Sequence, residues 1–273
     1  MANYNFDQLT FIIPIRLDSL FRLENVLTVV KFFHRFHANF IILEASKYCN
    51  NILQKMLPKD EWTKYIFIKD NDIVFHRTYY INLMTSLAKT RYLAVWDSDV
   101  LVDPFQIQMS LNDLENDKCE VAYPYNGELM GVDPILRSFF IEHPSISFLR
   151  NNIRLMTFLY GPNVVGGGFV IRRDKYIEAG GENEAFYGWG PEDYERFYRW
   201  KNYGYRVKKE EGVMYHLYHT RDLNGKYRSA LQQKLCQVSL NNTCHSSKEQ
   251  LRNQIKFKYS SDIEETGNIK KTK

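Results

Sequence analysis

No apolar run in the sequence is long enough to span a bilayer. Its N-terminus, Met1-Ala2-Asn3-Tyr4-Asn5, lacks the charged-then-apolar pattern of a secretory leader. Together these absences lead to the expectation of a cytoplasmic protein. Cysteine is sparse: Cys49, Cys119, Cys236 and Cys244 are scattered through 273 residues without C-x-x-C spacing. That scatter excludes a disulfide framework and a thiolate zinc site, so the four read as reduced thiols. There is no internal repeat, which removes solenoids and propellers. A strong charge bias is missing too. The net charge is +4, and from His245 onward seven Lys/Arg face four Asp/Glu, so most of the excess lies in the tail. The body is too nearly neutral for a nucleic-acid surface. The basic tail suits either plain solvation or peripheral contact with an anionic membrane. Nothing in these residues defines an oligomeric state.

Apolar material is ample: 44% of residues are hydrophobic, enough for the core of one large α/β unit. Aromatics reach 15%, with 19 Tyr and 18 Phe. Such side chains line sugar and base sites, and they equally fill cores.

Short apolar runs alternate with helical patterns through the first half. Strands are expected at Leu9–Ile15, Asn39–Glu44, Tyr65–Ile68, Arg91–Trp96 and Glu120–Tyr123. Between them helices are expected from an Asp18 cap to Phe36, and over Lys47–Leu57, Arg77–Ala88 and Pro104–Glu115. This alternation predicts an α/β fold with a mostly parallel central sheet flanked by helices. Such sheets bind ligands at the carboxyl edge of their strands, where Arg16, Glu44, Asp70 and Asp97 fall. Residues 126–162 hold no steady period and read as a lid or acceptor-side region. A strand follows at Val164–Ile171, then a helix from Pro191 stopping at Gly204, and strands at Tyr205–Lys208 and Val213–Tyr215. The tail reads as frayed, with one surface helix near Lys248–Phe257.

Three stretches carry chemistry. The run Tyr92-Leu93-Ala94-Val95-Trp96 ends in Asp97-Ser98-Asp99. In extended chain the two aspartates share a side and repel unless a cation sits between them; an ordinary turn is the alternative. Gly166, Gly167 and Gly168 either admit a ligand to the backbone or form a tight turn at a strand start. In Gly188-Trp189-Gly190-Pro191-Glu192-Asp193, the acids suit a helix N-terminus, yet capping alone does not account for the Gly-Trp-Gly lead. His216 and His219 close the motif set, either as metal ligands or as structural histidines.

In this order the motifs resemble a GT-A glycosyltransferase, in particular the β-1,4-galactosyltransferases and related bacterial sugar transferases of capsular or surface polysaccharide. Five patches carry the likeness: Phe11 to Arg16, Phe75-His76-Arg77-Thr78, Trp96 to Asp99, Gly166 to Ile171, and Tyr187 to Asp193, closed by His219-Thr220-Arg221-Asp222. The resemblance implies a GT-A fold, a UDP-sugar donor and Mn²⁺, with Mg²⁺ as substitute. It implies that Pro14, Arg16 and Arg77 contact the nucleotide, with Asp97 near the ribose and metal. Asp99 and His219 would ligate the metal, with His216 as a rival to His219. Asp193 would be the catalytic base, and Gly167, Gly168, Trp189, Gly190 and Glu192 would line the substrate site. The favoured donors are UDP-galactose and UDP-N-acetylgalactosamine, with a saccharide acceptor. Three positions depart from the family: Asp18 replaces a second loop arginine, Pro191 a glycine, and His76 an asparagine. The relatives' secretory anchor and disulfides are missing as well, in keeping with a bacterial-type cytoplasmic enzyme making surface polysaccharide.

On this reading residues 1–125 bind the nucleotide-sugar within a single domain. Residues 126–225 bind the acceptor and carry catalysis, and 226–273 form an extension, helical in part or disordered. Two rivals remain. A non-catalytic sugar- or nucleotide-binding module could use the same fold. A haloacid-dehalogenase-type phosphatase also has Asp-x-Asp at a strand end, but after its first strand rather than its fourth.

Overall fold

The computed structural model describes residues 4–220 and 225–256. Arg221 and Asp222 of the closing motif, Phe257 and the rest of the basic tail lie outside the described residues. Four parallel strands form the heart of the fold: β1 (Leu9–Ile15), β2 (Asn39–Ser46), β3 (Thr63–Lys69) and β4 (Tyr92–Trp96). Every residue of β1 and β4 is buried, as expected of strands covered on both faces. The helices between them are α1 (Leu20–His34), α2 (Ile52–Met56) and α3 (Arg77–Leu87). Pro14, which has no N–H to donate, falls beyond Ile12–Val95, where the β1–β4 pairing ends.

The sheet is then extended by strands from later in the chain. Helix α4 (Pro104–Glu115) precedes β6 (Val121–Tyr123), and β9 (Gly168–Arg172) inserts antiparallel between β4 and β6. With β10 (Val207–Lys209) on its edge the order is β10-β6-β9-β4-β1-β2-β3, so both halves of the chain build one sheet. A second sheet of order β5-β11-β7-β8 joins β5 (Val100–Leu101), β11 (Met214–Leu217), β7 (Leu129–Val132) and β8 (Thr157–Leu159). Many of the aromatics are core: Phe11 stacks on Phe33 and Phe40 at 4.9 and 5.2 Å and meets Trp96 edge-on at 5.3 Å.

Several expectations change. Ser19, not Asp18, caps α1, its side chain accepting from the Arg22 N–H, which releases Asp18 for the cleft. Helix α2 is cut to one short turn because Asn51 takes a left-handed φ of 58°. Residues 126–162 are ordered, holding β7, α5 (Pro134–Glu142), α6 (Ile146–Asn151) and β8. Their signals were local, such as Asp133 capping α5 with Pro134 in its first turn. Each element is too short to show a period. Helix α7 (Arg173–Glu178) was likewise unforeseen, as was α9 (Ala230–His245); α10 (Lys248–Gln254) sits where the tail helix was expected. Among the described residues no helix is long and apolar enough to cross a membrane.

Candidate active site

The carboxyl edge of the parallel strands opens into a cleft of about 500 Å³. Pro14 and Arg16 come from the end of β1, Asp97 and Asp99 from the end of β4, and Gly166 and Gly167 from the approach to β9. Trp189 to Asp193 lead into α8 (Glu192–Asn202), and His216 and His219 come from β11 and the loop after it. The structure thus gathers nearly every expected site residue into one cleft. The exception is Gly168, which is buried; a Cβ there would lie 2.5 Å from the Trp96 ring, so its smallness serves packing.

The two aspartates do not share an extended strand, as first read. They flank the turn between β4 and β5 and point to different partners. Asp97 accepts from Arg77 Nη2 at 2.5 Å, while its own N–H donates to the Gly167 carbonyl at 2.8 Å. Desolvation raises the Asp97 carboxyl, Arg77 opposes this, and Asp99 and Asp193 add to the rise. Arg77 is also desolvated, but Asp97, Asp193 and Glu192 hold its guanidinium well above the ordinary range. Asp99 is buried beside His219 Nε2 at 3.1 Å and His216 Nε2 at 3.7 Å. Burial alone would raise its carboxyl, but His216, His219 and Arg22 hold it well below the usual carboxylate range.

The approach of Asp99 to two residues over a hundred positions away follows from strand pairing. His216 pairs with Val100 across β11 and β5, and the Leu217 N–H donates to the Asp99 carbonyl at 2.8 Å. One ligand atom each from Asp99, His216 and His219 fall within 4.8 Å of one another. The two histidines are therefore companions rather than rivals, and Asp97 lies outside this group. A carboxylate oxygen with two imidazole nitrogens suits a divalent transition ion. Buried Asn25, on α1, donates to the carbonyls of Leu217 (3.4 Å) and Tyr218 (3.2 Å) between the two histidines. Its oxygen accepts from Arg137 Nε at 2.7 Å. Sequence reasoning missed Asn25, whose partners lie nearly 200 positions away and leave no local signature.

Arg16 is spoken for. Its Nε donates to Ala45 O, its Nη1 to Asp72 O and its Nη2 to Asp70 Oδ2, at 3.0, 2.8 and 2.8 Å. Instead of facing a leaving group with free donors, it ties together the loops after β1, β2 and β3. Asp70 also accepts from Tyr80 at 2.5 Å.

Asp193 lines the same cleft from the first turn of α8. Its Oδ1 accepts from Arg196 Nη2 at 2.5 Å, and its Oδ2 crosses so close to Gly166 that a Cβ there would lie 2.6 Å away. Thus the glycine run makes room for a carboxylate of this chain. Arg196 is 1% exposed, donates from Nη1 to both oxygens of buried Glu182 at 2.8 Å, and lies over Phe169 at 4.5 Å. Neither Glu182 nor Arg196 was singled out in the sequence; acid and base 14 positions apart have no local signature. Glu192 Oε2 is buried without a hydrogen-bond partner among the described residues, and desolvation, then Asp193, push the Glu192 carboxyl up to about 8. Trp189 meets Tyr227 edge-on at 4.7 Å, and Gln232 of α9 donates to the carbonyls of Tyr187 and Trp189, both at 3.0 Å.

With this geometry in hand, likenesses to known proteins take on meaning. A family model described as the N-terminal domain of galactosyltransferase matches residues 153–221, which include Gly166, Asp193 and His219. The catalytic domain of Drosophila β1,4-galactosyltransferase 7, solved with xylobiose, is 19% identical with a TM-score of 0.50. That likeness covers 88% of this chain and 81% of the other. A mutant of the Drosophila enzyme, solved with manganese, UDP-Gal and xylobiose, is 17% identical with a TM-score of 0.48, covering 93% and 82%. No curated protein sequence matches. The fold is GT-A, and residues 153–221 are similar to the galactosyltransferase domain.

Two outcomes follow for stability. Arg196→Met strands Glu182 as a buried charge and should cost about 3–5 kcal/mol in urea denaturation; a loss under 1 kcal/mol would contradict the pairing. Because the folded Glu192 carboxyl stands above its unfolded value, the folded state holds the extra proton, and stability falls as pH rises from about 4.5 to about 8. Glu192→Gln should flatten that slope, gaining on wild type between pH 5 and 8 but not at pH 4.

Proposed function

We propose that this chain is a metal-dependent, inverting glycosyltransferase that moves a hexose from a UDP-sugar to a saccharide acceptor in polysaccharide or glycan synthesis. Galactose and N-acetylgalactosamine are the favoured hexoses. The observation that carries the reading is one cleft lined both by a carboxylate–imidazole group and by the carboxylate of Asp193. Inversion needs a group that stabilises the leaving diphosphate and a separate base that takes the proton of the incoming hydroxyl, and the cleft offers one of each. The phosphatase reading loses its basis, since Asp97 follows the fourth strand and is paired with Arg77.

In the proposed mechanism Asp99, His216 and His219 would hold a divalent ion, Mn²⁺ by preference for a mixed N/O set, with Mg²⁺ as substitute. When bound there it would supply positive charge to a diphosphate leaving group. Asp193 receives the proton of the acceptor hydroxyl as that oxygen bonds to C1. The C1–O bond to the diphosphate breaks, and its electron pair leaves with UDP. Arg196 fixes Asp193 through Oδ1, so the carboxylate meets its substrate in one orientation. Protonated Glu192 can donate a hydrogen bond to the acceptor beside it, and Trp189 with Tyr227 offers aromatic surface to a sugar ring. Arg77 donates to Asp97 in the cleft and opposes the upward push of burial on its carboxyl. Pro14 and Arg16 shape the nucleotide side.

Asp193→Asn should lower kcat by about 10²–10⁴-fold while UDP affinity holds, measured by UDP release and calorimetry. Near-wild-type turnover would refute the base. His216→Ala and His219→Ala should each weaken Mn²⁺ binding, read by the spin-resonance signal of free Mn²⁺; no change in either would move the metal elsewhere. For the donor class, a thermal-shift screen of UDP-, GDP- and TDP-sugars should show a Mn²⁺-dependent rise with UDP-sugars only.

A further inference from the structure

Among the described residues three arginines line the cleft, and their partners differ. Every face of the Arg16 fork is consumed by Asp70 and two carbonyls. Arg77 is clamped to Asp97 and feels Asp193 and Glu192. The third is Arg22, in the first turn of α1, which no reading of the motifs had singled out. Its Nη1 stands 3.9 Å from Asp99 Oδ2, the oxygen that also faces His219. Its Nε is 2.9 Å from Asp18 Oδ1, yet the angle makes no hydrogen bond, so this buried N–H has no hydrogen-bond partner among the described residues.

We infer that Arg22 is the cation that takes the diphosphate of the donor beside the Asp99 group. The inference rests on the glycosyltransferase reading and adds a residue to it. Position supports it first. Arg22 and Asn25 stand three positions apart on α1, so one face of the helix serves the site, and Asp18 precedes its cap. Asp18 flanks Arg22, and Asn25 holds the chain between the two histidines. Charge supports it next. A metal on Asp99 would repel Arg22 unless an anion joined them, and a diphosphate supplies that anion. Chemistry supports it last, because a guanidinium in the cleft whose Nε has no hydrogen-bond partner among the described residues matches phosphate oxygens.

This arrangement separates two affinities that a merely structural residue would move together. Arg22→Met should weaken UDP binding at saturating Mn²⁺ about tenfold by calorimetry. The same variant should bind Mn²⁺ alone as tightly as wild type or tighter, since a competing cation beside Asp99 is gone. Arg22→Lys should recover part of the UDP affinity, and Arg22→Gln serves the same comparison if the Met variant does not fold. A UDP loss under threefold, or a parallel fall in Mn²⁺ affinity, would overturn the role of Arg22. Wild type that ignores UDP would overturn the donor reading and this inference with it, whereas wild type that binds UDP beside an equally competent Arg22→Met overturns the inference alone.

Discussion

A single buried cation sets the terms for one side of the cleft. Arg196 is shut away from water, and a guanidinium in that position persists only if carboxylates surround it. Glu182 supplies one, held by Tyr176 and, through its backbone, by Asn82 of α3. Asp193 supplies the other. Two acids and one base leave a net negative charge, and Asp193 is the member of the group that opens to the cleft. The proposed base is therefore the exposed end of a charge group whose other members are fixed by the core. Phe169 and Trp200 close over the guanidinium, so β9, α3, α8 and the turn carrying Glu182 all bear on one carboxylate.

The other side of the cleft depends on backbone pairing more than on charge. Strand β5 is only two residues long, yet it sets Asp99 against His216 through β11. Asn25 and Arg137 then secure the carbonyls between the histidines. Burying an amide and a guanidinium in this way is costly unless each is satisfied, and these two satisfy one another. The two sides are thus built independently: one by a side-chain charge group, the other by a strand register.

How much of this could be read from the sequence depended on distance along the chain. The parallel strands and most of their helices followed from periodicity, while Asp99, Asp193, His216 and His219, which share the cleft, were pointed to by the family resemblance. Roles that depend on partners did not follow. Arg16, expected to contact the nucleotide, also ties loops together, because Asp70 and the carbonyls of Ala45 and Asp72 arrive from elsewhere in the chain. Asp97, expected near the ribose and metal, accepts from Arg77, a pairing that no spacing foretold. Glu182, Arg196 and Asn25 act across 14 to nearly 200 positions, where no spacing rule reaches.

Helix α9 shows the same limit from the other direction. The C-terminal segment read as an extension to the fold, with no motif to suggest a part in the site. Yet Gln232 binds the carbonyls on both sides of Gly188, whose φ of 88° puts that loop in a conformation an L side chain rarely adopts. Cys236 lies against Gly190 in the same loop, and Tyr227, just ahead of the helix, faces the Trp189 ring. A glycine-flanked tryptophan would otherwise sample many orientations, and ordering it on binding would cost affinity. Bracing by α9 lowers that cost before any sugar arrives. The extension is therefore the wall that gives Gly188-Trp189-Gly190 a fixed shape, and the loop's two glycines are tolerable in the cleft because α9 stands behind them.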